Sequence, residues 1–176
     1  MVSLELRITN IEKAMQFKCY DLPGMHLMFT GEPVLVLGNV NVFEANRKIE
    51  HEVVSWLLWL CREQKNYCDP GRYRADAPEQ VFAQRHDLGN ELAEWADHHM
   101  LMYDAEEAPC MTLQSPSSGE LEICWRFGAA YVNRKGKVIV PKDDFIKEVE
   151  KEKKRIYSIL SAYEPLKNSC WLKELQ

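Results

Sequence analysis

Three carboxylates and one imidazole recur at helical spacing near the middle of the chain, and side chains of these types bind cations or basic partners. They lie four, three and four positions apart and are Asp87, Glu91, Glu94 and His98. At about 100° per residue they project from one stripe of a helix. An apolar stripe of Leu88, Leu92 and Trp95 is centred about 100–120° away. The pattern predicts an amphipathic helix with carboxylates along its exposed flank.

The sequence leaves three interpretations of this stripe open. It is an ordinary solvated acidic face, a docking surface for a basic protein, or part of a metal site. The metal interpretation rests on Glu94 and His98, which are four residues apart and can ligate one cation together with Glu91. A metal-dependent hydrolase built on these three residues needs further ligands, and the chain has no second Glu-x-x-Glu or His-x-x-x-His motif.

These carboxylates belong to a long segment of one charge sign. Residues 86–125 contain no Lys or Arg and nine acids: Asp87, Glu91, Glu94, Asp97, Asp104, Glu106, Glu107, Glu120 and Glu122. Residues 1–85 carry 10 bases against 11 acids, and residues 126–176 carry 12 bases against seven acids. This uneven distribution of charge along the chain affects which partners can bind. It disfavours nucleic-acid binding at residues 86–125, because the binding of phosphates requires Lys and Arg. Whether the basic stretch 151–155 folds over the carboxylates is left open.

We predict that a cognate basic protein contacts seven of these acids and one aromatic residue. The predicted partner-binding residues are Asp87, Glu91, Glu94, Asp97, Asp104, Glu106, Glu107 and Trp59. Clustered carboxylates accelerate the encounter with a basic protein and fix its register. Trp59 leaves the main apolar stripe of its helix, so we expect it to be exposed as an aromatic anchor.

Motifs of known catalytic chemistry are missing. The chain has no Gly-x-Ser-x-Gly elbow, no Ser-x-x-Lys and no Gly-x-x-x-x-Gly-Lys phosphate loop. Asp97-His98-His99 matches a phosphoesterase signature, but the separated Asp-containing strand motifs of that family are absent. We therefore predict no catalytic residue and no cofactor.

Hydrophobic periodicity predicts the elements that position these residues. The predicted strands lie within 2–37 and 100–140, and the predicted helices are 43–64, 76–99 and 141–163. Turn-forming residues predict a turn at 31–33, a loop at 114–119 and a hairpin turn at 133–136. This order predicts a single α+β domain over residues 1–176, with an antiparallel sheet packed against two central helices and a C-terminal helix.

Composition narrows the class of protein further. With 176 residues and 46% hydrophobic content, the chain is long enough to bury its own core. It has no apolar run of about 20 residues and no secretory signal pattern, so we predict a cytoplasmic protein without membrane contact. Its six scattered cysteines form no Cys-x-x-Cys pair, which favours reduced thiols.

Two segments are similar to segments of bacterial proteins of this size. They are Phe82-Ala-Gln-Arg-His-Asp-Leu88 and Glu120-Leu-Glu-Ile-Cys-Trp-Arg126. Together with the acidic segment and the strand-rich start, they make the chain resemble bacterial immunity proteins of polymorphic or contact-dependent growth-inhibition toxin systems. The resemblance implies a non-enzymatic inhibitor that neutralises a basic toxin such as a nuclease, whose active site holds phosphates. The alternatives are the metal-dependent hydrolase and a phage-encoded inhibitor of a host defence nuclease.

Overall fold

In the residues that the structure describes, the chain combines two four-stranded antiparallel sheets with six α-helices and one short 3₁₀ helix, Pro70–Arg72. The computed structural model describes residues 4–18, 25–37, 40–44, 49–50, 53–83, 87–101, 110–126, 135–162 and 170–176. The strands are β1 (Leu4–Lys18), β2 (Met25–Leu37), β3 (Val40–Glu44), β4 (Ile49–Glu50), β5 (Met100–Leu101), β6 (Cys110–Ser117), β7 (Glu120–Arg126) and β8 (Lys135–Pro141). The helices are α1 (Val53–Arg62), α2 (Gln64–Tyr67), α3 (Ala77–Ala83), α4 (Asn90–His99), α5 (Lys142–Ser161) and α6 (Cys170–Leu175). The predicted α+β class is confirmed.

The first sheet is organised around β2. This strand pairs with β1, β3 and β4, all antiparallel. The predicted turn at 31–33 is wrong, because Gly31 pairs with Ile49 of β4 and Pro33 pairs with Ile8 of β1. The predicted helix start near residue 43 is also wrong. Pairing with β2 holds residues 40–44 as a strand, and α1 begins only at Val53.

The second sheet has the strand order β5-β6-β7-β8. Its two central strands are buried on both faces, since Leu121 to Trp125 of β7 are all buried. Of the predicted loop at 114–119, only Ser118 and Gly119 form a turn, which joins β6 to β7. The predicted hairpin turn at 133–136 is wrong where the structure describes it, because Gly136 lies within β8 and pairs with Trp125.

The predicted helix 76–99 is two helices rather than one. The first, α3, begins at Ala77, directly after the predicted start at Asp76. Residues 87–89 are not helical, and Gly89 is the N-cap of α4 with φ −61° and ψ 156°. Glycine adopts this extended cap conformation at little cost, whereas inside a helix it costs about 1 kcal/mol relative to Ala. Both helices pack on the second sheet in one core cluster: Ala77, Val81, Phe82, Leu92, Trp95, Ala96, Met100, Cys110 and Cys124.

The last long helix, α5, agrees with the predicted helix 141–163. Asp143 and Asp144 lie in its first turn, where negative charge is favourable next to the positive end of the helix dipole. The helix contacts β1 of the first sheet, β7 and β8 of the second, and α1. Among the described residues, no helix is long and apolar enough to cross a membrane.

A substitution at Gly136 tests the packing between β7 and β8. A Cβ atom at this position would collide with the indole of Trp125, whereas a Cβ at Gly119 would meet nothing within 4 Å. We expect Gly136→Ala to lower the free energy of unfolding by about 1–3 kcal/mol, because an overpacked side chain displaces its neighbour. Urea denaturation measures this, with Gly119→Ala as the matched control. Equal stability of the two variants would contradict the contact.

Candidate functional site

The helix α4 separates a buried face from an acidic face. Leu92, Trp95, Ala96 and His99 are buried against the core. On the other side, Glu91, Glu94 and Asp97 are exposed, and Asp87 is exposed just before the helix. We call Asp87, Glu91, Glu94 and Asp97 the α4 acidic face. The predicted helical stripe is therefore correct for Glu91, Glu94 and His98, and wrong for Asp87, which lies outside the helix.

Trp95 connects α4 to the chain segment before α3. It is 6% exposed, and its Nε1 donates a hydrogen bond to the carbonyl oxygen of Arg72 at 3.2 Å. Its ring stacks on the imidazole of His99 with centroids 4.6 Å apart. The Nδ1 of His99 donates to the carbonyl oxygen of Trp95 at 2.8 Å, and burial lowers the pKa of His99. At neutral pH, Nε2 of His99 is consequently an acceptor, and it has no hydrogen-bond partner among the described residues.

A cavity of about 250 Å³ lies between these two parts of the chain. Its lining residues are Gly71, Arg72, Tyr73, Arg74, Glu91, Glu94, Trp95, His98 and His99. The lining thus contains two arginines as well as two glutamates. Among the described residues, however, neither glutamate has a Lys or Arg nitrogen within 4 Å, and the ion pair of Arg72 is with Asp69 at 3.8 Å. The lining of the cavity therefore carries both signs of charge, and among the described residues its arginines form no ion pair with its glutamates.

His98 is held in place by the carboxylate of Glu63, the N-cap residue of α2. Its Nδ1 donates to Oε2 of Glu63 at 2.8 Å, and Nδ2 of Asn66 donates to the same oxygen at 2.6 Å. Burial raises the pKa of Glu63, but the hydrogen bonds from Asn66 and His98 outweigh burial and leave the pKa lowered. Within the described part of the chain, no three His, Cys, Asp or Glu side chains are arranged to hold a metal ion. The metal interpretation of Glu91, Glu94 and His98 therefore has no support from the geometry.

Glu122 does not belong to the acidic surface, although the sequence counts it in the acidic segment. It is 1% exposed and forms an ion pair with Lys137 of β8, with Nζ 2.5 Å from Oε2. Nε2 of Gln114 donates to it at 2.8 Å and the hydroxyl of Tyr73 at 3.3 Å. A charged residue inside the apolar run of residues 121–125 was the sequence signal for a buried pair, but its partner depends on the strand register.

This buried carboxylate alters the titration of its neighbours. The hydrogen bond to Glu122 raises the pKa of Lys137. Burial and the charge of Glu122 raise the pKa of the Cys124 thiol to about 12. A thiol needs a lowered pKa to act as a nucleophile near neutral pH, so Cys124 is an unreactive core thiol.

The remaining predicted partner-binding residues have mixed outcomes. Asp104, Glu106 and Glu107 lie outside the described residues. Trp59 is half-buried rather than fully exposed, and its ring stacks on Tyr67 with centroids 5.9 Å apart. Its role as an anchor for a partner stays a prediction.

The basic stretch 151–155 of α5 does not pair with the α4 acidic face. Lys151, Lys153 and Arg155 form ion pairs with acids three residues earlier on α5 itself. No described ion pair joins this stretch to Asp87, Glu91, Glu94 or Asp97. In the part of the chain that the structure describes, the α4 acidic face keeps its negative charge.

Comparisons of this chain with protein-family models, with curated proteins and with solved structures find no match. The resemblance to immunity proteins therefore stays an expectation, and the function has to be inferred from the site itself.

The pairing of Glu122 with Lys137 makes a prediction about stability. Lys137→Met leaves a buried carboxylate without its cation, so we expect a loss of about 1–3 kcal/mol in the free energy of unfolding. The double variant Lys137→Met with Glu122→Gln removes the uncompensated charge and should recover part of that loss. Lys154→Met, an exposed site on α5, is the control. Urea denaturation in which Lys137→Met matches this control would contradict the pairing.

The lowered pKa of Glu63 makes a prediction about pH. A carboxyl group whose pKa is lower in the folded chain adds stability above its ordinary pKa of 4.5. That contribution is lost as the pH falls through the lower folded value. We expect Glu63→Gln to be destabilising at pH 7 and its penalty to shrink below about pH 4.5. Unfolding experiments across this range measure the penalty, with Glu120→Gln as control, and a penalty independent of pH would contradict the assignment.

Proposed function

We propose that this chain is a non-enzymatic inhibitor that binds a basic protein toxin, such as a nuclease, through the α4 acidic face. The observation that carries the proposal is that all four carboxylates of this face are exposed and none has a described Lys or Arg partner within 4 Å. Immunity proteins, which the sequence resembles, have such a role. A phage-encoded inhibitor of a host nuclease would use the same physical interactions.

Electrostatics supports this class of partner. A nuclease active site is rich in Lys and Arg because it must hold phosphates. An acidic face attracts such a surface over a distance of about one Debye length, or about 8 Å at physiological salt, and this raises the rate of association. Unpaired carboxylates on the free protein cost little while they are hydrated, and they are available to pair in the complex.

The cavity beside this face supports a specific mode of contact. Its volume of about 250 Å³ suits one long side chain of a partner. A Lys or Arg in it would lie against Glu91 and Glu94. Nε2 of His99, which has no hydrogen-bond partner among the described residues, offers a buried acceptor. A long cationic side chain in a desolvated pocket is a common anchor of tight interfaces.

The two arginines that line the cavity restrict the orientation of the partner. Arg72 and Arg74 would repel a surface that is basic throughout, because like charges brought together at an interface cost several kcal/mol. The partner therefore places its cations over α4 and a neutral or acidic group over the arginines. This requirement fixes the register of binding and favours a single docked orientation.

Charge reversal tests the proposal with the protein encoded by the neighbouring open reading frame as candidate partner. The triple variant Asp87→Lys, Glu91→Lys and Glu94→Lys should bind it at least about tenfold more weakly at about 50 mM salt, because attraction becomes repulsion. The difference should shrink at about 300 mM salt, where surface charges are screened. Isothermal titration calorimetry measures both affinities.

The matched control reverses three exposed acids elsewhere: Glu79→Lys, Glu120→Lys and Glu174→Lys. It changes the net charge by the same amount but leaves the α4 acidic face intact, so its affinity should stay close to that of the wild type. Circular dichroism confirms that both triple variants fold. Equal affinity of the α4 variant and the wild type would overturn the proposed interface, and equal weakening by both variants would reduce it to a non-specific effect of net charge.

A further inference from the structure

A second, larger cavity lies between α3 and strands β7 and β8 of the second sheet. It has a volume of about 370 Å³, within the range of small-molecule sites in proteins, about 300–1,000 Å³. Ala75, Pro78 and Phe82 form one side, and side chains of β7 and β8 form the other. None of these residues lines the cavity beside the α4 acidic face.

Apolar side chains form part of the wall of this cavity. Pro78 and Phe82 are both buried in α3, with Phe82 8% exposed. Cys124 lines the cavity from β7. Since its pKa is about 12, its thiol is neutral and adds a small apolar contact. These residues suit the apolar body of a ligand rather than a second polar group.

Two cations that line this cavity lie in directly opposite positions on neighbouring strands. Arg126 of β7 and Lys135 of β8 are directly paired across the strands, and both are exposed. Like charges in directly opposite positions destabilise a sheet. Among the described residues, neither cation forms an ion pair, although Glu79 lines the same cavity. The opposed positions of Arg126 and Lys135 therefore do not stabilise the sheet, whereas an anion bound between the two cations would remove their repulsion.

A third cation on this face is already neutralised. Lys137 lies two residues after Lys135, so its side chain leaves the same face of β8. It is paired with the buried Glu122 at 2.5 Å, which fixes its ammonium group at the cavity. The charges left unbalanced by direct contact on the sheet side are those of Arg126 and Lys135.

We propose that this cavity binds a small carboxylate with an apolar body, its carboxylate between Arg126 and Lys135 and its apolar part against Pro78 and Phe82. The proposal concerns binding only, because the cavity presents no activated nucleophile. It does not depend on the proposed inhibitor function, since it uses a different cavity and the opposite charge sign.

Phenylacetate and its neutral isostere phenylacetamide are the probes that test this site. By isothermal titration calorimetry, we expect the wild type to bind phenylacetate at least about tenfold more tightly than phenylacetamide, a factor that corresponds to about 1.4 kcal/mol. The double variant Arg126→Gln with Lys135→Gln should bind both probes equally. The control Lys154→Gln with Lys173→Gln makes the same change in charge at exposed sites away from the cavity and should keep the preference.

Stability measurements separate a ligand site from a structural role. Because the two cations repel each other, the Arg126→Gln, Lys135→Gln variant should be at least as stable as the wild type without ligand. Phenylacetate should raise the melting temperature of the wild type but not that of this variant. Three results would overturn the proposal: no binding of phenylacetate at about 5 mM, equal binding of acid and amide by the wild type, or an unchanged preference in the double variant.

Discussion

The burial of Trp95 is the constraint on which the candidate partner surface depends. Its indole lies in the core cluster of α3, α4 and the second sheet, and its N–H bonds to the carbonyl of Arg72. Because a helix is a rigid cylinder, burying Leu92, Trp95 and His99 on one side turns Glu91 and Glu94 towards solvent. The same hydrogen bond holds the chain around Arg72 beside α4, and a cavity forms between them. The acidic face is thus a consequence of core packing.

The acidic side chains of residues 86–125 lie in two different physical environments in this fold. Glu122 is buried, and a lysine, a glutamine amide and a tyrosine hydroxyl satisfy its carboxylate. Glu91 and Glu94 are exposed and have no Lys or Arg partner among the described residues, so their charges cost little and contribute to an external field. The charge of a sequence segment therefore overstates the charge of the surface that it forms. For this chain, the exposed acids that the structure describes in this segment are Glu120 and those on and just before α4.

Local patterns predicted the elements whose structure depends on local interactions. The periodicity and first-turn acids of α5 gave its extent, and the spacing of Glu91, Glu94 and His98 predicted that they would share one site. The pairing of residues 135–136 with β7 depends on tertiary contacts, which outweigh local turn preference. Arg72 and Arg74 were missed because they come from a segment about 20 residues earlier in the chain. The only sequence signal for them was a buried indole N–H at Trp95 that needs an acceptor.

The salt dependence of association tests the central claim most directly. If the hydrated carboxylates around α4 attract a basic partner, the association rate constant of the unmodified protein with the product of the neighbouring gene should be high at low salt. It should fall at least about tenfold as the ionic strength rises from about 20 to 300 mM, while the dissociation rate changes little. Stopped-flow fluorescence measures both constants. An association rate that does not change with ionic strength would contradict an electrostatic origin of the interaction.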